Sequence, residues 1–79
     1  RIHRYDKYHE VLRAELRSIR LAAKLTQVQL ADRLNTTQVF ISKYERGERN
    51  LDFIEVLQIC STCGYDPMKL IKKMKVDHK

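Results

Sequence analysis

One proline and two glycines in 79 residues leave little of the turn chemistry that an all-β fold requires, so an α-rich fold is expected. Long apolar runs are missing as well. No eighteen consecutive apolar residues occur, and no segment is expected to span a membrane. No signal peptide is visible in a chain that begins with Arg1 rather than Met, and a cytoplasmic setting is expected. The constellations of enzymes are absent too: there is no glycine-rich phosphate loop, no His-Glu metal helix and no paired-carboxylate spacing. Asp52 and Glu55 lie three apart, but helix capping accounts for them. Neither an enzyme nor a cofactor is expected. The length suits one domain with one modest core and is too short for a deep cleft plus a cofactor domain. With no internal repeat, low-complexity tract or linker, a single domain over 1–79 is expected.

Cysteine is nearly absent, but the two present form Cys60-Ser61-Thr62-Cys63. Zinc would need two further ligands, and His3, His9 and His78 are distant and unpatterned. Redox chemistry would want a strand-to-helix context, which is missing. A lone pair three apart in a helix is also a poor disulfide and suggests a reducing compartment. Core packing is the preferred reading, and no metal ligands are assigned.

Positive charge is present in excess. Sixteen basic against ten acidic residues give +6, which favours a polyanionic partner while also being compatible with a merely soluble, basic domain. The excess is uneven: residues 1–25 hold seven Lys/Arg against three Asp/Glu, residues 26–50 four against three, and residues 51–79 five against four. Charge alone therefore does not locate a binding face.

Start and stop signals divide the chain into five helices. Over 8–24, Leu12, Leu16 and Ile19 recur at helical spacing with Arg13, Arg17 and Arg20 between them. Thr26 with Gln29 is a capping box that opens a second helix over 27–34, with Leu30, Ala31 and Leu34 as its stripe. Asn35-Thr36-Thr37 breaks the pattern, since Asn tolerates the left-handed conformation and Thr37 can cap the next helix. That third helix covers 38–46 and stops at Gly47. Asp52 and Glu55 open a fourth over 53–63, ended by Gly64. Asp66-Pro67 opens a fifth over 67–74, and the tail from 75 to 79 is expected to fray.

The segment 27–46 is the informative one. Two short helices joined by three residues cannot lie side by side and must cross steeply. Ala31 supplies the small residue where the backbones approach, and Leu30, Leu34, Ile41 and Tyr44 close the corner. Gln38, Val39, Ser42 and Lys43 are left outside. A Gln amide can serve adenine N6 and N7 together, Val can touch a thymine methyl, and Lys can donate to guanine or phosphate. On spacing alone, an ordinary helical hairpin with a polar surface fits equally well.

Leu25-Thr26-Gln27, Leu30-Ala31, Thr37-Gln38, Ile41-Ser42, Tyr44-Glu45 and Gly47 together resemble the helix-turn-helix of phage repressors, Cro proteins and the bacterial regulators of the XRE family. The resemblance covers roughly 12–71, about three quarters of the chain. It implies an all-α, five-helix, lambda-repressor-like DNA-binding domain whose third helix enters the major groove of a two-fold-symmetric operator. By the same resemblance Gln38, Val39, Ser42 and Lys43 contact bases, with Ser42 and Lys43 open to phosphates as well. Gln27 contacts a phosphate and braces Gln38. Thr37, Arg46, Arg49 and Asn50 fall at the DNA backbone, and Arg20 pairs with Glu45 to hold the recognition helix. Cys60 and Cys63 fall at core positions. Phe40 departs from a usually small or polar position, and an exposed ring there is expected to meet DNA or a dimer mate. Asn35 replaces the usual turn glycine.

Two segments stay open. Tyr5, Tyr8 and His9 read either as an extension of the first helix over the fifth or as an arm along the DNA with Arg1 and Arg4. Lys72, Lys73 and Lys75 read as a solvated helix end at the negative pole of the dipole or as a second phosphate contact. The expected activity is that of a sequence-specific transcriptional regulator, a repressor before an activator, binding double-stranded DNA as a homodimer. Met68, Leu70, Ile71 and Met74 either form that dimer or close the monomer core. An antitoxin with a toxin partner and a protein-interaction module on the same fold are the alternatives.

Overall fold

Capping decides where most of the helices begin. The computed structural model describes residues 6–75, which form five helices in the order α1 Asp6–Ala22, α2 Gln27–Arg33, α3 Gln38–Glu45, α4 Phe53–Thr62 and α5 Pro67–Met74. Thr26 accepts from the Gln29 backbone amide while the Gln29 side chain accepts from the Thr26 amide, at 3.0 and 2.9 Å. Asp52 and Glu55 do the same for α4, at 2.7 and 2.9 Å. Thr37 caps α3, and Asp66 caps α5 ahead of Pro67. Each such cap satisfies amides that the first turn leaves without partners, contributing about 1 kcal/mol.

The stops are less regular. Asn35 takes the expected left-handed conformation at φ 58°, and Gly47 and Gly64 take it at 81° and 69°. Helix α1, expected over 8–24, ends instead at Ala22, because Lys24 is also left-handed at φ 61°. The Lys24 and Leu25 amides then close the helix on the carbonyls of Leu21 and Arg20, at 2.9 and 3.2 Å. At the other end α1 begins two residues early, and Tyr8 and His9 belong to the helix itself. Arg1, Arg4 and Tyr5 of the expected arm, His3 and His78, and the tail past Lys75 lie outside the described residues.

Helices α2 and α3 pack on one another, and α1 runs behind them in contact with α3, α4 and α5. Leu16, Leu30, Ile41, Tyr44, Ile59 and Cys60 are the largest side chains at the centre, all essentially removed from solvent. At about 1.5–3 kcal/mol for each fully buried aliphatic side chain, this cluster is what holds such short helices. Ala31 of α2 lies in the core, 3% exposed, where a larger side chain would overpack its neighbours. Leu70 is buried and Met74 packs against the core, so these two close the monomer, while Met68 and Ile71 stay exposed. None of the described helices is long and apolar enough to cross a membrane.

Candidate nucleic-acid interface

Helix α3 presents its outer face because Ile41 and Tyr44 anchor the inner one. Gln38, Val39 and Lys43 are exposed, Val39 at 56%. An aliphatic side chain that open, on a helix whose polar neighbours are equally open, is free to meet another surface. Thr37 is exposed too, with its Oγ1 accepting from the Phe40 amide at 3.2 Å.

Behind that face runs a chain of polar side chains. Arg20 is buried, and its guanidinium grips the Glu45 carboxylate with two bonds, Nε to Oε2 at 2.7 Å and Nη2 to Oε1 at 3.0 Å. Its Nη1 donates to the Leu25 carbonyl at 2.9 Å, so the cation also ties down the α1–α2 connection. The carboxylate holds the Arg20 pKa further above its ordinary value, against the opposing effect of burial. Glu45 Oε1 takes a further bond from Gln27 Nε2 at 2.9 Å, and Gln27 Oε1 in turn accepts from Gln38 Nε2 at 2.6 Å. Four residues from three helices are thus linked, ending at the first residue of α3.

The loop after α3 is organised by exposed ion pairs. Arg46 donates to Glu48 from Nε and Nη2, at 3.0 and 3.1 Å, and also from Nη1 to the Ser42 hydroxyl. Ser42 is half-buried and engaged rather than open. The Arg46 hydrogen bonds hold the Glu48 carboxyl below its ordinary pKa, and Glu48 raises that of Arg46. Arg49 donates to Glu55 at 3.1 Å and to the Asn50 carbonyl at 3.3 Å, and Asn50 itself is exposed.

Phe40 requires a correction. It is not the exposed ring expected from the sequence. It is half-buried, packed edge-on against Tyr44 at 5.6 Å between centroids, and the Arg49 guanidinium covers it at 4.7 Å. The loop folding back over α3 shields it, and the aromatic ring serves as a seat for a cation. Glu48 was the residue that sequence reasoning missed. An acidic side chain two positions from Arg46 in a loop carries no helical spacing to flag it.

Other candidates resolve simply. Cys60 is buried, Cys63 is half-buried, both are free thiols, and burial pushes both pKa values up. The described residues contain no group of three or more His, Cys, Asp or Glu able to hold a metal ion. Lys73 reaches back to Glu15 on α1 at 3.4 Å, while Lys72 and Lys75 are exposed.

Two short helices pack together and the second leaves its outer face exposed, an arrangement that known proteins share. The Helix-turn-helix family profile matches residues 16–70, more than half of the chain. A solved structure of an XRE-family like protein from Pseudomonas syringae pv. tomato str. DC3000 is 39% identical, covers 90% of this chain and 87% of its own, and superposes with a TM-score of 0.85. This chain belongs to the XRE family of helix-turn-helix proteins. A search of curated proteins gave no match. As a member of that family it is a DNA-binding domain of the transcription-regulator type. In this XRE-family fold α3 is the second helix of the helix-turn-helix, and the exposed Gln38, Val39 and Lys43 lie on it.

Proposed function

We propose that the chain is a cytoplasmic, sequence-specific repressor that reads the major groove of a palindromic operator with the helix over 38–46, as a homodimer. The observation that carries this reading is the tethering of Gln38. Its amide is held at 2.6 Å by Gln27 while still exposed, beside the open side chains of Val39 and Lys43. A side chain that reads bases gains from being oriented before it meets DNA, because less rotamer entropy is lost on binding.

In this reading Gln38, Val39, Ser42 and Lys43 face base edges, and Gln27, Thr37, Arg46, Arg49 and Asn50 face phosphates. Each phosphate contact adds roughly 0.9 to the slope of log affinity against log salt. The dimer is supported by an apolar face built outside the helix-turn-helix, from α1, α4 and α5. Phe53 and Ile71 are exposed and border a groove of about 240 Å³ that Leu12, Leu51 and Val56 also line. A second copy is the occupant that a two-fold operator calls for.

Selection from random DNA is the test. An enriched motif with two symmetric halves about 10 base pairs apart is the expected result. A pool with no enrichment would remove the reading, and sedimentation of the complex would give the number of copies bound.

A further inference from the structure

A cavity of about 20 Å³ lies between α1 and the loop that follows α3. His9 and Arg13 of α1, Tyr44 of α3, and Arg49 and Asn50 of the loop supply its polar lining. Tyr44 is 1% exposed, and its phenol oxygen, shielded from solvent, has no hydrogen-bond partner among the described residues. A hydroxyl in that position is costly unless something accepts its proton. Burial pushes the Tyr44 pKa up, so the oxygen keeps its hydrogen to donate. Arg13 poses the same problem in charged form. It is half-buried, and among the described residues no carboxylate lies within ion-pairing distance of it, whereas Arg17, Arg20, Arg46 and Arg49 each have one. Gly47 lets its guanidinium lie there. A Cβ on residue 47 would stand 2.7 Å from Arg13 Cζ, so only bare backbone leaves room for the planar cation against the loop.

The lining is rich in hydrogens and poor in acceptors. No Asp or Glu belongs to it, and Arg49 is already committed to Glu55 and the Asn50 carbonyl. Arg13 can only donate, Tyr44 has its hydroxyl hydrogen, and His9 and Asn50 each carry side-chain N–H groups. A water molecule among them would have to place two hydrogens of its own, whereas an anion only accepts. The volume admits one body about the size of a water molecule, which excludes phosphate and larger carboxylates. We propose that this cavity binds a single monatomic anion of the halide class, which accepts from Tyr44 Oη, neutralises Arg13 and so fastens α1 to the loop carrying Arg49 and Asn50. Nothing in this assignment depends on what the outer face of α3 meets.

Thermal melts at fixed ionic strength, with sodium chloride or bromide replacing sodium gluconate, measure the linkage, since gluconate is too large for the cavity. Halide at about ten times its Kd should raise the melting temperature by roughly 5–10 °C. Arg13→Gln removes the charge and Tyr44→Phe removes the hydroxyl, and each should lose most of that shift while still melting cooperatively. Crystals of the unaltered chain grown in bromide locate the ion by anomalous scattering, with a peak in contact with Tyr44 Oη and Arg13 expected. The wild-type melt and the crystal decide the matter even where a variant does not fold. A water in the cavity with no bromide peak would overturn the proposal. A peak without a halide-specific shift would overturn it too, leaving an adventitious ion only. A shift that both variants keep in full would place the halide effect elsewhere and sink the assignment.

Discussion

Glu45 and Arg46 are neighbours at the end of α3, yet each belongs to an arginine–glutamate pair of opposite character. Arg20–Glu45 closes at 2.7 Å with side chains 7% and 4% exposed, and Arg46–Glu48 closes at 3.0 Å with side chains 54% and 55% exposed. The groups are the same and the distances nearly so. Environment makes the difference. The buried pair cannot be half-removed without stranding a charge in a poorly solvated place. The exposed pair competes at every moment with water and salt, and with any phosphate that approaches. One pair fixes where the recognition helix sits, while the other holds its basic residues only until something better arrives.

The largest effect expected from breaking this contrast comes from Glu45→Ala. It should cost roughly 3–5 kcal/mol, since it leaves Arg20 uncompensated, and the loss should appear in denaturant unfolding. On the proposed reading operator affinity should fall as well, because Gln27 loses its anchor. Unfolding and binding both at wild-type level would refute the structural role of the pair.

Gly47→Ala comes next, at about 1–2 kcal/mol. The glycine sits at φ 81°, and a methyl group there would lie 2.7 Å from the Arg13 guanidinium carbon. A melting temperature equal to that of the wild type would show that the loop relaxes without strain.

A graded loss of stability at high pH should report on the buried side alone. Tyr44, Cys60 and Cys63 all have pKa values raised by burial, from ordinary values of 10.0 for the phenol and 9.0 for the thiols. The unfolded chain therefore releases these protons first. Stability should be complete below about pH 9 and decline as the pH climbs past it. A flat profile from pH 7 to 10.5 would contradict the burial of these groups.

The smallest effect is expected from Glu48→Gln. Freeing Arg46 from its carboxylate should leave the melt unchanged and tighten binding to all DNA sequences by roughly two- to fivefold at low salt. Weaker binding would mean that Glu48 orients Arg46 for DNA rather than holding it back.

Much of the fold was legible in the sequence, because caps act locally. Thr26 with Gln29, Asp52 with Glu55, Asp66 with Pro67, and Asn35 each mark a boundary through chemistry confined to one turn. The C-terminal ends of α2, α3 and α4 fall one residue short of expectation, since Leu34, Arg46 and Cys63 keep near-helical dihedrals as caps. The stop at Lys24 was invisible, as a left-handed lysine leaves no mark that a glycine or asparagine would. The site was legible only in part. Spacing separated the outer face of α3 from the inner one, but contact roles came from family resemblance. Phe40 was misplaced because its cover, Arg49, arrives from a loop nine positions away. Long-range contacts of that kind have no periodicity to read.

Helices α2 and α3 are only seven and eight residues long. Isolated helices shorter than about 12 residues are marginal in water. Neither would persist as a peptide, so the recognition surface is not a detachable cassette. It exists only while α1 and the shared core hold its back. Transplanting Gln38–Glu45 onto another scaffold would carry the side chains proposed to meet DNA without the hydrogen bonds that orient them, unless Arg20 and Gln27 went with it.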